Sequence, residues 1–286
     1  MGRAARVAAD GAAPCGDRDA RYLLRVARQR ADSLLAARGL ARSRSDAAAS
    51  IRAGRVRLGP SGPRLVKPGQ LVAEDAELIV EEGRRFASRG GEKLANALDA
   101  LGVEVAGRDC LDVGASTGGF TDCLLKRGAA RVIALDVGRG QLDWALRQDP
   151  RVVVMERTNA RHLRPEALPF APSLATVDVS FISLAKVLPA IAACLAPAGE
   201  VLALVKPQFE LEPRRVGRGG VVRSAANRRD ALAAAARAAQ GAGLEPAGFA
   251  PSGLAGPKGN RETFIHCVMG GRPLAALEAA IREVEP

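Results

Sequence analysis

The sequence predicts an α/β protein with two modules: a small α+β module and a larger, doubly wound domain on a mostly parallel sheet. Three observations support this prediction. The length of 286 residues exceeds the common size of a single domain. Positive charge is concentrated at residues 21–67, which hold twelve Lys or Arg against the two acids Asp32 and Asp46. From about residue 94 onward, strand-like and helix-like segments alternate, as they do in repeated βα units.

The first 27 residues are rich in Ala and Arg without clear periodicity, and we expect a flexible extension there. The small module is predicted at residues 28–83. It begins with two short helices, the second of them "SRSDAAASIRAG" with a serine at its N-cap. The segments "RVRLG", "RLVKPGQLV" and "AELIVEE" are predicted to be short strands. Residues 84–91, "RRFASRGG", are expected to form a linker between the modules.

Residues 92–286 are predicted to form the doubly wound domain. Its predicted strands are "DCLDV", "RVIALDV", "RVVVME", "LATVDVSF", "EVLALVK", "LEPAGFAPS" and "ETFIHCVMG". Helical segments such as "FTDCLLKRG", "LAKVLPAIAACLA" and "AANRRDALAAAARAAQGAG" separate them. Connections of this kind place helices on both faces of the sheet, so a ligand is expected beyond the carboxyl ends of the strands.

A glycine-rich turn, "DVGASTGGFTD", follows the first of these strands and predicts a nucleotide site. Its glycine spacing does not match the dinucleotide fingerprint, and no Gly-Lys-Ser/Thr follows as in a P-loop. Asp136 ends the next strand and can accept hydrogen bonds from both hydroxyls of an adenosine ribose. The turn leaves room for a methionine moiety, so S-adenosylmethionine is the predicted cofactor. The residues of the turn that we expect to bind it are Asp112, Gly114, Ser116, Thr117, Gly118 and Gly119.

Four charged residues, Lys93, Asp178, Lys206 and Glu262, stand at strand ends or at the entrance to the large domain. Together they form a Lys-Asp-Lys-Glu set of the kind that several ribose methyltransferases use. A ribose 2′-hydroxyl is a very weak acid, so the protein must align it with the methyl donor and help to remove its proton. The residues leave open whether Lys206 is a general base or a positioning donor.

The basic module resembles the small RNA-binding domain named for the fourth small-subunit ribosomal protein. The resemblance covers about 50 residues, including "RGL", "SR" and "VKPG". It implies an RNA-binding face of clustered arginines, whose positive charge attracts phosphate chains. The residues expected on this face are Arg42, Arg44, Arg52, Arg55 and Arg57. A second basic segment, "QFELEPRRVGRGGVVR" after Lys206, is expected to be mobile and to close over RNA.

The combination resembles the TlyA family, in which an RNA-binding module precedes an FtsJ-like methyltransferase domain. The motifs "SRGGEKL", "LDVGASTGGFTD", "DVSFISL", "LVKPQFE" and "GGVVR" support the resemblance, which runs from about residue 28 to residue 269. It implies a Rossmann-like, seven-stranded methyltransferase fold and 2′-O-methylation of cytidine in ribosomal RNA of the small subunit, the large subunit or both. It also implies a central catalytic role for Lys206, and places Asn159 near the adenine, Phe120 below the glycine turn and Asp178 beside the cofactor.

Other features of the sequence exclude several classes of protein. The five scattered cysteines and two histidines do not have the spacing of a metal site, so no metal is expected. No apolar run is long enough to span a membrane, and the N-terminus does not resemble a signal peptide. We therefore expect a cytoplasmic monomer that acts on ribosomal subunits. The alternatives are a methyltransferase with another RNA target, a different RNA-modifying enzyme such as a pseudouridine synthase, and a membrane-lysing haemolysin.

Overall fold

The computed structural model of the chain describes residues 27–81 and 85–286. The chain divides into two compact units, Met1–Gly83 and Arg84–Pro286, here called the small unit and the large unit. The predicted extension lies outside the described residues except for its last residue. The first residue of the predicted linker also lies outside them.

The small unit contains two short helices and two pairs of short antiparallel strands. Its helices are α1 (Ala31–Ala37) and α2 (Arg44–Arg52), and its strands are β1 (Arg28–Arg30), β2 (Val56–Leu58), β3 (Leu71–Ala73) and β4 (Leu78–Val80). Strand β1 pairs with β3, and β2 pairs with β4. The side chain of Ser43 accepts a hydrogen bond from the amide of Asp46 at the start of α2, which confirms the predicted serine cap. Strand β1 was not predicted, because three polar residues show no apolar alternation.

Aliphatic side chains from both helices and from the strands form the core of the small unit. Leu35, Ile51 and Leu65 are fully buried there. Asp32 is also buried, and its carboxylate accepts hydrogen bonds from the guanidinium of Arg30 at 2.7 and 3.0 Å. These bonds lower the pKa of Asp32 to about 2, so this carboxylate is ionised at neutral pH and stabilises the start of α1.

The large unit is built on one seven-stranded sheet. Its strands are β5 (Asp109–Val113), β6 (Arg131–Leu135), β7 (Val152–Met155), β8 (Leu174–Val177), β9 (Glu200–Val205), β10 (Leu244–Pro251) and β11 (Thr263–Met269). They lie in the order β10-β11-β9-β8-β5-β6-β7. Strands β5 to β9 are mutually parallel, and β11 is antiparallel to both of its neighbours. This arrangement confirms the predicted doubly wound α/β fold.

Helices cover both faces of this sheet. They are α3 (Arg89–Leu101), α4 (Gly119–Lys126), α5 (Trp144–Gln148), α6 (Leu188–Cys194), α7 (Pro207–Glu210), α8 (Ala225–Gly241) and α9 (Leu277–Val284). In β5, Leu111 and Val113 face a core that includes α6 and α8, whereas Cys110 faces a core that includes α3 and α4. Both faces of the strand are therefore buried, as in other parallel sheets.

Helix α3 begins inside the segment that was predicted to be a linker. Ser88 is the N-cap residue, and Arg89 and Gly90 already belong to the first turn. Phe86, before the cap, is buried in the core formed with α3 and α4. The linker prediction at residues 84–91 is therefore wrong from residue 86 onward, because the glycines serve close packing: a Cβ on Gly91 would lie 2.4 Å from Phe86.

The described residues include no helix that is long and apolar enough to cross a membrane. Within residues 27–81 and 85–286, no group of three or more His, Cys, Asp or Glu side chains could hold a metal ion. The cysteines in these ranges are free and buried. Burial raises the pKa of the Cys110 and Cys267 thiols to about 12, which keeps them protonated and unreactive at neutral pH.

Candidate active site

The carboxyl ends of β5, β6 and β8 border a cavity of about 470 Å³, here called the glycine-loop cavity. The turn between β5 and α4 forms one wall, since each parallel strand delivers its following loop to the same edge of the sheet. Of the predicted cofactor-binding residues, those that line this cavity are Gly114, Ser116, Asp136, Asn159 and Asp178.

Two glycines in the turn are required by its geometry. Gly114 has φ +85°, and a Cβ at this position would lie 2.3 Å from the carbonyl oxygen of Asp178. Gly118 caps α4 with φ +93°, and a Cβ there would lie 2.3 Å from Leu146 Cδ1. A side chain at either position would combine a strained backbone with a collision. The turn therefore keeps its tight approach to β8 only with glycine.

Asp136 stands at the end of β6 and fixes the rim of the glycine-loop cavity. Its Oδ2 accepts a hydrogen bond of 2.8 Å from the amide of Ser116, and its Oδ1 accepts one of 2.7 Å from the amide of Gly138. Each carboxylate oxygen retains a second lone pair for a ligand. Ser116 takes a left-handed backbone conformation, φ +49°, which turns its amide toward Asp136.

Asp112 does not line any of the cavities at this edge of the sheet. Its side chain is fully buried, where Oδ2 accepts a hydrogen bond of 2.7 Å from the hydroxyl of Thr121 in α4. Burial, together with the nearby charge of Asp178, raises the pKa of Asp112 to about 7. The predicted direct contact between Asp112 and the cofactor is therefore wrong: its position in β5 directs the carboxyl toward α4, which it holds against the sheet.

Both residues that the family resemblance placed near the cofactor also stabilise the fold. The side chain of Asn159 accepts a hydrogen bond of 3.0 Å from the amide of Arg161, and so caps a turn of 3₁₀-helix. The ring of Phe120 is buried and lies 5.8 Å from that of Phe264. Because Asn159 lines the glycine-loop cavity and Phe120 lines the neighbouring one, structural and binding roles are compatible for both.

The four charged residues predicted for catalysis meet in a second cavity of about 350 Å³, here called the charged cavity. Lys93 and Glu262 form an ion pair of 2.5 Å in which both side chains are buried. Lys206 Nζ lies 2.5 Å from Asp178 Oδ1, outside hydrogen-bond geometry, and donates to Ser180 Oγ at 3.0 Å. The structure thus brings together residues that lie up to 169 positions apart in the sequence.

The charged cavity adjoins the glycine loop directly. Thr117, Gly119 and Phe120 line it, together with Gly114, Ser116 and Asp178 of the glycine-loop cavity. Asp178 therefore stands between the glycine loop and the lysines. A ligand in the first cavity and a hydroxyl beside Lys206 would be adjacent, which is the arrangement that a group transfer needs.

A third cavity of about 330 Å³, here called the outer cavity, shares Lys206 and Glu262 with the charged cavity. Phe181, which was not predicted as a site residue, lines both the outer cavity and the glycine-loop cavity. It is 91% exposed and has φ +63°, a strained conformation for a bulky residue. Its position three residues after Asp178, in "DVSFISL", was the available signal.

Glu210 is another residue that the sequence did not single out. Its carboxylate accepts hydrogen bonds from the Ser183 hydroxyl at 2.6 Å and from the Leu184 amide at 2.9 Å. Burial raises the pKa of Glu210, although these bonds oppose the shift. The contacts hold α7, which begins directly after Lys206, against the loop that follows Asp178. The two loops that carry this ion pair are therefore fixed to each other.

The arginines predicted to bind RNA differ in how far their charge is already paired. Within the part of the small unit that the structure describes, Arg57 forms an ion pair of 2.5 Å with Glu81, and Arg44 lies 3.4 Å from Asp32. Arg42 makes a longer contact of 3.4 Å with Asp46 and is 92% exposed. Arg55 donates to the hydroxyl of Ser50, and Arg52 makes no ion pair with a described residue. The set therefore keeps most of its charge available.

The residues of the glycine-loop cavity fit an adenosine with a methionine side arm. Asp136 offers two carboxylate oxygens at the edge where a ribose would sit, and Asn159 lies beside it. The space over Gly114 would be closed by any Cβ, so the backbone can approach a ligand closely. The volume of about 470 Å³ suits a molecule of this size.

Comparison with known proteins agrees with this geometry. Residues 86–268 match the family model of the FtsJ-like methyltransferases. The chain is 52% identical to the 16S/23S rRNA (cytidine-2′-O)-methyltransferase TlyA of Mycobacterium tuberculosis, over 83% of this chain and 89% of that protein. It is 38% identical to Hemolysin A of Brachyspira hyodysenteriae, over 84% of this chain and 100% of that protein.

A solved structure of a hemolysin-like protein from Streptococcus thermophilus has the same architecture. It superposes with a TM-score of 0.67 and 38% identity, covering 91% of this chain and 96% of that one. Two relatives that carry the name hemolysin thus share the sheet and the sequence of a methyltransferase. The family match over the large unit and the extent of these similarities lead to one conclusion: the chain belongs to the FtsJ-like methyltransferase family.

Proposed function

We propose that this chain transfers a methyl group from S-adenosylmethionine to the ribose 2′-hydroxyl of a cytidine in ribosomal RNA. The observation that carries the proposal is the convergence of Lys93, Asp178, Lys206 and Glu262 in a cavity next to the glycine loop. The name of the Mycobacterium tuberculosis relative supports the cytidine and the ribosomal RNA. Modification of one or both ribosomal subunits is compatible with that name.

The glycine-loop cavity would hold S-adenosylmethionine, with Asp136 accepting the ribose hydroxyls and Asn159 beside the adenine. When bound, this cofactor supplies a sulfonium-activated methyl group. Gly114 leaves space over the turn, and Asp178 lies where the glycine loop and the lysines meet. The two cavities therefore place the acceptor oxygen on the lysine side of the glycine loop.

Lys206 is the residue that we expect to contact the 2′-hydroxyl. Its side chain is 12% exposed and lines both the charged cavity and the outer cavity, so its ammonium can reach a ribose that enters from outside. Asp178 and Ser180 fix its position. In this geometry Lys206 orients the hydroxyl and receives its proton, directly or through solvent, as the methyl transfers.

The small unit would act as the RNA-binding domain, at residues 28–83, and the large unit as the methyltransferase domain, at residues 92–286. Its arginines supply an electrostatic contact to ribosomal RNA that does not depend on base sequence. We propose that the protein works as a monomer in the cytoplasm, where ribosomal subunits are available. No metal is required in this scheme, because a sulfonium already activates the methyl group.

Replacement of Lys206 by Ala tests the proposal. We expect methyl transfer to ribosomal subunits to fall by at least about a hundredfold, since general acid–base groups contribute roughly 10²–10⁴ in rate. Binding of S-adenosylmethionine, measured by calorimetry, should stay within about threefold of wild type, because Lys206 does not line the glycine-loop cavity. Tritiated methyl groups and mapping of ribose methylation provide the activity measurement.

Lys186→Ala is the matched control, because Lys186 is exposed and lines none of the three cavities. It should transfer methyl groups at the wild-type rate. Full activity of the Lys206 variant would refute the catalytic assignment. A wild-type protein that does not bind S-adenosylmethionine would refute the proposed function itself.

A further inference from the structure

The segment Gly217–Arg223, here called the strap, follows α7 and borders the outer cavity, where Gly220 lines the wall. It contains the "GRGGVVR" part of the basic segment that the sequence predicted to be mobile. The side chain of Val222 is buried, and side chains from elsewhere in the large unit bond to the strap backbone. The strap is therefore a fixed feature of the site, and the expected mobility is wrong for these residues.

Asn260 forms the first of these contacts. Its amide nitrogen donates to the carbonyl of Gly220 at 2.7 Å, and its amide oxygen accepts from the backbone amide of Val222 at 2.8 Å. The residue is 2% exposed. Both functions of one buried carboxamide are thus spent on two backbone groups of the strap, which fixes the conformation of the residues between them.

Arg228 holds the carboxyl end of the strap. Its Nη1 donates to the carbonyl of Arg223 at 2.7 Å, and its Nε donates to Glu285 Oε2 at 2.7 Å. Both side chains of this ion pair are less than a tenth exposed. A buried guanidinium whose charge is matched by a carboxylate holds its position firmly, because any displacement would leave a charge unpaired.

The strap and the turn beside it present cations that are not neutralised. Arg218, Arg223 and Lys258 are exposed, and none of them lies within ion-pair distance of a carboxylate among the described residues. The two arginines just before the strap differ, since Arg214 pairs with Glu212 and Arg215 pairs with Asp230. The free charge therefore belongs to the part of the segment that borders the outer cavity.

The strap is also tied to the catalytic side of the site. The turn that begins at Gly256 closes on Asn260, where the Gly256 amide donates to the Asn260 carbonyl at 2.9 Å. Glu262 follows two residues later, and a Cβ on Gly256 would lie 2.4 Å from Glu262 Oε1. One turn thus positions both the strap and the carboxylate that pairs with Lys93. A ligand on the strap would keep a fixed register with the charged cavity.

We propose that the strap binds the phosphodiester backbone of the acceptor RNA strand beside the outer cavity, with Arg218, Arg223 and Lys258 as its phosphate contacts. Asn260 is the positioning residue that presents them. The inference rests on the proposed function, because it assumes an RNA acceptor. The small unit supplies charge without orientation, whereas the strap fixes the strand next to Lys206.

The charge of the strap is tested first, because its arginines are exposed and their variants should fold. We expect Arg218→Gln and Arg223→Gln each to raise KM for ribosomal subunits and to reduce the slope of log KM against log salt by about one. The Kd of S-adenosylmethionine should not change. Arg282→Gln, on the exposed surface of α9, removes the same charge and should leave KM and the salt slope as in wild type.

The positioning role is tested with Asn260→Ala and a double-mutant cycle. Asn260→Ala should raise KM roughly tenfold, and in that background Arg218→Gln should have little further effect, since a displaced strap no longer presents the arginine. Asn96→Ala is the matched control, because Asn96 also donates to a backbone carbonyl, that of Ser252, but away from the strap. It should leave KM and the effect of Arg218→Gln unchanged.

The outcomes separate the inference from the proposed function. If wild type methylates ribosomal RNA but the arginine variants keep its KM and salt slope, the strap does not bind the acceptor strand. If the effects of Asn260→Ala and Arg218→Gln on KM simply multiply, Asn260 does not position the strap for RNA. If wild type shows no transfer to RNA while binding S-adenosylmethionine, the proposed acceptor is wrong.

Discussion

Lys93 and Lys206 occupy one cavity but differ in their surroundings. The pair of Lys93 with Glu262 is 8% and 1% exposed, whereas that of Lys206 with Asp178 is 12% and 24% exposed. A fully buried pair cannot easily exchange its partner for a ligand, because separation would leave a charge in an apolar environment. Lys93 therefore serves to hold Glu262 and the wall of the cavity. Lys206, on the open side, remains available to the acceptor hydroxyl.

Asp112 allows a prediction about pH, because burial raises its folded-state pKa to about 7. A carboxyl with a raised pKa contributes stability below its unfolded pKa of about 4 and loses that contribution as pH rises through about 7. We expect wild type to lose unfolding free energy relative to Asp112→Asn between pH 5 and pH 8. Thermal melting of the cofactor-free proteins at both values measures the change.

Asp99→Asn is the control for this experiment. The hydrogen bond from Arg127 lowers the pKa of Asp99, so this carboxyl stays ionised from pH 5 to pH 8 and its stability contribution is lost only at more acidic pH. The difference between Asp99→Asn and wild type should therefore be constant over this range. A constant difference for Asp112→Asn as well would show that Asp112 is ionised throughout, and would contradict the raised pKa.

At the scale of elements, the turn between β5 and α4 gives a second prediction, since Gly114 faces both a positive φ and the carbonyl of Asp178. Gly114→Ala should cost about 2–4 kcal/mol of unfolding free energy, because backbone strain adds to a collision. It should also weaken S-adenosylmethionine binding at least tenfold, since β5 and β8 must separate at their carboxyl ends. Chemical denaturation and calorimetry measure these two effects.

Gly107→Ala is a matched control, because Gly107 has φ +72° but no neighbouring atom within 4 Å of the place that a Cβ would take. It should cost only about 1 kcal/mol and leave cofactor affinity unchanged. Equal costs for the two variants would mean that the contact with Asp178 does not constrain the turn.

The strands of the large unit were predictable because each is a run of β-branched and aliphatic residues followed by a turn. The start of α3 was not, because the glycines of "SRGGEKL" resemble a linker until their packing against Phe86 is known. The direction of Asp112 was also not predictable: the pattern places it in a strand but does not say which face contains Thr121. The contacts of Asn260 with the strap depend on pairing across 40 positions, which local patterns do not encode.

At the scale of the whole molecule, the chain separates affinity from chemistry. The small unit has its own core and most of the unpaired positive charge near the N-terminus, whereas the large unit contains the three cavities. Salt should therefore act mainly on RNA binding, because screening weakens contacts between exposed charges. The methyl-transfer step takes place among partly buried residues and should respond much less to salt.

Simultaneous replacement of Arg42, Arg44 and Arg55 by Gln tests this separation. We expect KM for ribosomal subunits to rise and the salt slope to fall by about three, because three phosphate contacts are lost. Both the Kd of S-adenosylmethionine and the rate at saturating RNA should stay within about twofold of wild type. The charge-matched control replaces Arg237, Arg272 and Arg282, which are exposed on the large unit, and should change neither KM nor slope. Equal losses in the two triple variants would mean that net charge alone, rather than the basic face of the small unit, determines affinity.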